Sequence, residues 1–177
     1  MLRRIGRDRT FMTRDKFLRL LIVSGITVVL DQLSKFIIVS RLELGDNITV
    51  IPGLFNITHA LNPGGAFGIF AQNSQWVRVL MLLVVSIIAV GFIIYLYFGV
   101  PETHPMLANA LALILGGAIG NLIDRVRRGV VVDFLDCYVN QHHWPAFNVA
   151  DSAICIGVGI FIAHIVLNKM PEQKSGL

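Results

Sequence analysis

The chemistry this sequence can offer rests on a small set of polar residues in an otherwise apolar chain. They are Asp31, Lys35, Asn62, Asn121, Asp124, Arg125, Asp133, Asn148 and Asp151. Asp133 follows Val130-Val131-Val132 and precedes Phe134-Leu135. Apolar surroundings disfavour the charged form, so its carboxyl is expected to hold a proton unusually well. Asp151 reads either as the N-cap of the helix that follows it or as an acid–base group. Two carboxyl groups about 3 Å apart cannot both ionise and so share one proton. The ionised one takes a proton from water while the protonated one donates to a carbonyl oxygen. That is peptide hydrolysis without a metal or a covalent intermediate.

The remaining polar residues read as support. Asp31 and Lys35 stand at i, i+4 and share a helix face, which predicts an intramembrane ion pair that holds packing. Asp124 adjoins Arg125 and is expected to orient it or to cap backbone at a helix end. Asn62, in a Gly-rich turn, either forms the turn or turns its amide towards a substrate backbone. Other chemistries have weaker signals. No G-x-S-x-G or H-E-x-x-H pattern occurs, and Ser152 has no nearby histidine. His142 and His143 with Asp133, Asp136 and Cys137 match no standard metal spacing, so no metal or cofactor is expected. His59 and His164 read as packing or interfacial residues. Cys137 and Cys155 fall at different depths and read as unpaired packing residues.

These residues need elements to position them. Of 177 residues, 55% are apolar and 15% charged, too little polar surface for a soluble domain of this size. Four runs have the roughly 20 apolar residues that cross a bilayer: about 17–39, 76–98, 106–123 and 150–167. The first reads as a retained helix, since no small-residue cleavage site follows it. The expected fold is an all-α membrane protein, a single membrane-embedded domain of four transmembrane helices with a small extracytoplasmic β-cradle. Residues 1–16 form a basic cytoplasmic tail, and 40–75 and 125–149 form outer segments. Arg3, Arg4, Arg7, Arg9, Arg14, Lys16 and Arg19, with Lys169 and Lys174, put both termini in the cytoplasm. Asp31, Asp124, Asp133 and Asp151 then share one membrane level at the outer face. Arg125, Arg127 and Arg128 break the charge rule. They read either as headgroup or substrate contacts or as tolerated charge. The net charge of +4 reflects topology, and no motif points to nucleic acid.

Within the first outer segment, Ile48 to Ile51, Pro52-Gly53 and Leu54 to Leu61 predict a β-ribbon. Ala66 to Phe70 reads as an apolar lid freed by Gly64, Gly65 and Gly68, with Phe67 contacting lipid. A short strand is expected at 130–132. Trp76, Tyr138 and Trp144 fit an interfacial aromatic belt.

The chain resembles the bacterial lipoprotein signal peptidases, or signal peptidase II. The carriers are DQLSK at 31–35, NPGGAFG at 62–68, GGAIGNLIDR at 116–125, VVDF at 131–134 and PAFNVADSAI at 145–154. The resemblance runs from the first helix to the fourth. It implies an aspartic endopeptidase of the bacterial inner membrane, with its active site at the periplasmic face. The implied catalytic residues are Asp133 and Asp151. Asp31, Lys35, Asn62, Asn121, Asp124, Arg125 and Asn148 match the family's supporting positions. The implied substrate is a diacylglyceryl-modified prolipoprotein, cut just before its lipidated cysteine. Membrane lipids and globomycin-type inhibitors are the other implied partners. Pro63-Gly64-Gly65 and the stretch from Cys137 to His143 depart from the family pattern. A transporter or proton pathway would instead carry acids at mid-membrane with broken helices. A helix-binding scaffold using Gly157 and Gly159 would leave the outer acids unexplained.

Overall fold

A computed structural model describes residues 13–64 and 75–168. The expected lid at 66–70, with Gly65, lies outside the described residues, as do 1–12 and 169–177. Four helices are present: α1 (Arg14–Arg41), α2 (Gln75–Gly99), α3 (Pro105–Arg128) and α4 (Val149–Asn168). All four are long and apolar enough to cross a membrane. Their limits have local causes. The Thr13 hydroxyl accepts from Lys16 N at the start of α1. Pro105 opens α3, and Gly129, at φ 72°, closes it with its N–H on the Arg125 carbonyl at 3.0 Å. α3 thus reaches Arg128, so Arg125 belongs to the helix and the second outer segment starts later than 125.

Helix packing puts α3 at the centre, against α1, α2 and α4. Gly116 sits against Ser24 and Thr27 of α1, and Gly117 against Ala150 of α4. A Cβ at either position would collide with that neighbour, so the GGAIG run lets three helices approach closely. Polarity is inverted relative to a soluble protein. Asp31, Lys35, Asp124 and Asn148 are among the most buried side chains, while Phe36, Leu80, Ile88 and Tyr95 are exposed. Apolar side chains outward and paired charges inward is the solution for a bundle dissolved in lipid.

The sheet has the order β1-β2-β3-β4: β1 (Asn47–Ile51), β2 (Phe55–Asn62), β3 (Val131–Val139) and β4 (His142–His143), all neighbours antiparallel. The expected ribbon is β1–β2. The expected short strand is longer than foreseen, because β3 pairs along β2 as far as Cys137 opposite Phe55. β3 also takes two-way hydrogen bonds from Phe147, which tie the approach to α4 onto the sheet.

Candidate active site

The site lies where the ends of α1, α3 and α4 meet β2 and β3. On β2, Asn62 pairs in register with Val131, and Ala60 with Asp133. Side chains alternate along a strand, so Asp133 and Asp136, three apart, face opposite ways. Asp133 faces the helices. Its Oδ1 accepts from Asn148 Nδ2 at 2.7 Å and its Oδ2 from Asn62 Nδ2 at 2.9 Å. Asp136 turns away and binds Asn56 at 2.9 Å and His143 Nδ1 at 2.8 Å. Burial opposes ionisation of Asp136, but the hydrogen bonds from His143 and Asn56 outweigh it and hold its carboxyl below the usual range. Asp136 and His143 are therefore spent on each other and remote in role from Asp133.

Asp151 is not the N-cap of α4. Asn148 holds that position: its Oδ1 accepts from Asp151 N at 2.9 Å, and Asp151 Oδ2 accepts from Asn148 N at 3.3 Å. This is a capping box built from Asn and Asp. The other Asp151 oxygen accepts from Asn121 Nδ2 at 2.8 Å. Asn148 thus touches Asp133 through its amide nitrogen and Asp151 through its backbone N–H. One residue joins the two carboxyl groups, and it is itself fully buried.

Beneath them lies a charge network. Lys35 Nζ is 2.9 Å from Asp31, 2.9 Å from Asp124 and 3.0 Å from Asn121 Oδ1. The expected Asp31–Lys35 pair is present but forms half of a triad. Asp31 Oδ1 also accepts from Ala150 N at 2.9 Å, which satisfies a free N–H in the first turn of α4. Gly120 leaves room for Asp31, because a Cβ there would strike its carboxylate.

Several expectations need correction. Asp124 pairs with Lys35, with Arg128 at 3.6 Å and with Val132 N at 3.3 Å rather than with Arg125. The helix geometry explains this, since neighbours i and i+1 do not face each other and i, i+4 do. Arg125 instead donates to Ser86 Oγ of α2 at 3.2 Å, within the fields of Asp151, Asp124 and Asp133. Asn62 spends its amide on Asp133, and its Oδ1 accepts from Gly64 N at 2.9 Å. Gly64 has φ 75°, and a Cβ on it would meet Leu82. Tyr138 stacks on His143 at 4.8 Å and its hydroxyl accepts from Gly53 N at 3.0 Å. Trp76 and Trp144 are exposed. Cys137 and Cys155 are both unpaired and exposed rather than packed. His59 is buried, with Nδ1 on the Leu42 carbonyl at 2.9 Å.

Gln32 and Ser86 escaped the sequence reading. Gln32 Nε2 reaches Asp31 at 3.1 Å, the Gly120 carbonyl at 3.1 Å and Asp124 at 3.2 Å, bridging α1 to α3. Its place inside DQLSK was the available signal.

Burial pushes the Asp133 carboxyl up to about 6. The charge of Asp151 adds to the rise, while hydrogen bonds from Asn62 and Asn148 and the charge of Lys35 oppose it. The folded protein therefore holds this proton more tightly than the unfolded chain. That contribution to stability is complete below 3.8 and is lost as pH rises to about 6. One carboxyl that keeps a proton near a second one can act as acid beside base.

A polytopic membrane protein with two carboxyl groups joined through one asparagine at one end of its bundle is the class defined so far. The comparisons make it specific. Residues 23–167 match the family model described as signal peptidase (SPase) II. The lipoprotein signal peptidase of Desulforapulum autotrophicum is 50% identical over 91% of this chain and 99% of its own length. That of Syntrophus aciditrophicus is 44% identical over 87% of this chain and 95% of its own. A bacterial membrane enzyme solved by the in meso method at 2.3 Å superposes with a TM-score of 0.77 at 31% identity, covering 89% of this chain and 93% of that one. The chain belongs to the signal peptidase II family, a family of aspartic peptidases.

Proposed function

We propose that the chain removes the signal peptide from diacylglyceryl-modified prolipoproteins, cutting before the lipidated cysteine, with Asp133 and Asp151 as its catalytic pair. The observation that carries this reading is the Asn148 clasp, which binds both carboxyl groups at the helix ends. Asp133, the carboxyl with the raised pKa, donates its proton to the scissile carbonyl oxygen. Asp151 takes a proton from the attacking water. The tetrahedral intermediate then collapses: Asp151 gives the water's proton to the leaving amine, a hydroxyl of the intermediate returns a proton to Asp133 as the carbonyl re-forms, and no enzyme bond forms. Asn62 and Asn148 hold Asp133, Asn121 orients Asp151, and Asp31, Lys35 and Asp124 fix the helix ends beneath. Arg125 offers positive charge beside the developing oxyanion.

Two features support a lipid-anchored substrate. A cavity of about 400 Å³ beside Asp151 is walled by Trp144, Phe147 and Cys155, of which Trp144 is a large exposed apolar side chain. The ribbon exposes Ile48, Val50, Ile51 and Leu54, an apolar surface suited to the headgroup boundary. The basic residues near the N-terminus support cytoplasmic termini in a bacterial inner membrane, with the site facing the periplasm. A globomycin-type cyclic peptide would compete for the same groove. Purified protein should cleave a diacylglyceryl-modified prolipoprotein and leave its unlipidated counterpart uncut. Equal cleavage of both would remove the lipid from the recognition.

The Asn62 hydrogen bond favours the ionised form of Asp133. Asn62→Ala should therefore raise the pH at which Asp133 loses its proton. The alkaline limb of kcat/KM should move to higher pH, while the maximum falls. An alkaline limb that moves to lower pH would contradict the proton's assignment to Asp133.

A further inference from the structure

At the same end of the bundle, on the α2 side of Arg125, a groove of about 420 Å³ runs between the first turns of α2 and the last turn of α3. Trp76, Val79 and Leu83 wall it on α2, and Arg125, Arg127 and Arg128 on α3. The charge of Arg127 and Arg128 is poorly compensated. Among the described residues no carboxylate lies within 4 Å of Arg127. Arg128 has only Asp124 at 3.6 Å, which is already bound to Lys35 at 2.9 Å. Arg125 Nε is buried without a hydrogen-bond partner. These arginines stand at the end opposite the basic tail, where topology gives no reason for them. Trp76 is 84% exposed beside them, the posture of a residue at the headgroup level.

We propose that this groove binds an anionic glycerophospholipid, with its phosphate between Arg127 and Arg128 and an acyl chain along Val79 and Leu83. The chemistry fits in both halves. Guanidinium groups give forked donors to phosphate oxygens. Below them the groove wall is apolar and continuous with the lipid-exposed face of α2, where Leu80 and Val84 are also exposed. A soluble anion would use the first half only. A lipid uses both.

Trp76 is a built-in reporter, because Trp144 is the only other tryptophan. The test uses the full chain carrying Trp144→Phe in phosphatidylcholine vesicles. These contain a small, equal fraction of either chain-brominated phosphatidylglycerol or chain-brominated phosphatidylcholine. The brominated phosphatidylglycerol should quench Trp76 more strongly. Arg127→Gln should reduce that preference roughly fivefold, the effect of one basic residue near a charged lipid surface. Arg127→Lys, which keeps the charge, should retain most of it. Among the described residues Arg127 has no ion pair to lose, so its variants keep the fold, checked by unchanged thermal unfolding. Equal quenching by the two lipids overturns the proposal. So does a preference untouched by Arg127→Gln. Inorganic phosphate, matched against chloride at equal ionic strength, should leave the preference intact. Displacement by phosphate would mean a free-anion site and would also overturn it.

Discussion

Asp133→Asn and Asp151→Asn should each lower single-turnover cleavage of a lipidated prolipoprotein by about 10³-fold or more. Both variants should still insert and fold. The asparagine at either position keeps the shape and one of the two accepted hydrogen bonds, from Asn148 at 133 or from Asn121 at 151; the second, from Asn62 or from Asn148 N, is lost. What disappears is the group that gives or takes a proton. Acid and base act as one unit, so the double variant should be hardly slower than either single one. Substrate binding should survive in all three, measured with an uncleaved lipopeptide. Near-wild-type cleavage by either single variant would remove that residue from the pair.

Lys35→Met should be the most damaging change to stability. Lys35 is 1% exposed and stands between Asp31 and Asp124, which are equally buried. Methionine fills the space but leaves two carboxylates facing each other with no cation between them. Breaking a buried ion pair from one side costs about 3–5 kcal/mol. The thermal transition in detergent should fall steeply, and the start of α4 should loosen because Asp31 also holds Ala150 N. Lys16→Met offers a control within α1. Lys16 is buried too, but its ammonium rests on the carbonyls of Phe98 and Val100 and over the Tyr97 ring, with no carboxylate within 4 Å among the described residues, so its loss strands no buried charge. A Lys35→Met transition within the roughly 0.5 kcal/mol of a neutral surface change would mean the triad contributes nothing to holding the helices.

The helices were legible because their signal is one-dimensional. A run of some 20 apolar residues needs no partner to be recognised. The ribbon was legible from Pro52-Gly53 and its flanks. The full length of β3 was not, since its buried positions include Asp133 and Asp136 and alternation of apolar residues fails there. A strand that lines a polar site hides its own period. The pairing of Lys35 with Asp31 could be read from i, i+4 spacing. Its second partner, Asp124, lies on another helix, and no local spacing encodes that contact. The same holds for Gln32, whose three partners come together only when α1 meets α3. Asp151 was legible as a residue of the first turn of α4, but which residue caps that turn depended on backbone detail. Asn148 is one position before the helix, and the capping box follows from that.

The proton that the proposed mechanism assigns to Asp133 can be sought without turnover. Infrared spectra of the protein with isotopically labelled aspartate would resolve a protonated carboxyl group from carboxylates. At pH 5 the wild type should carry a carboxylic-acid C=O band that disappears with a midpoint at about 6. The band should be absent from Asp133→Asn. In Asp151→Asn its midpoint should fall, because the charge of Asp151 is one of the forces that raise it. A wild-type spectrum at pH 5 with every aspartate ionised would contradict the shared-proton pair.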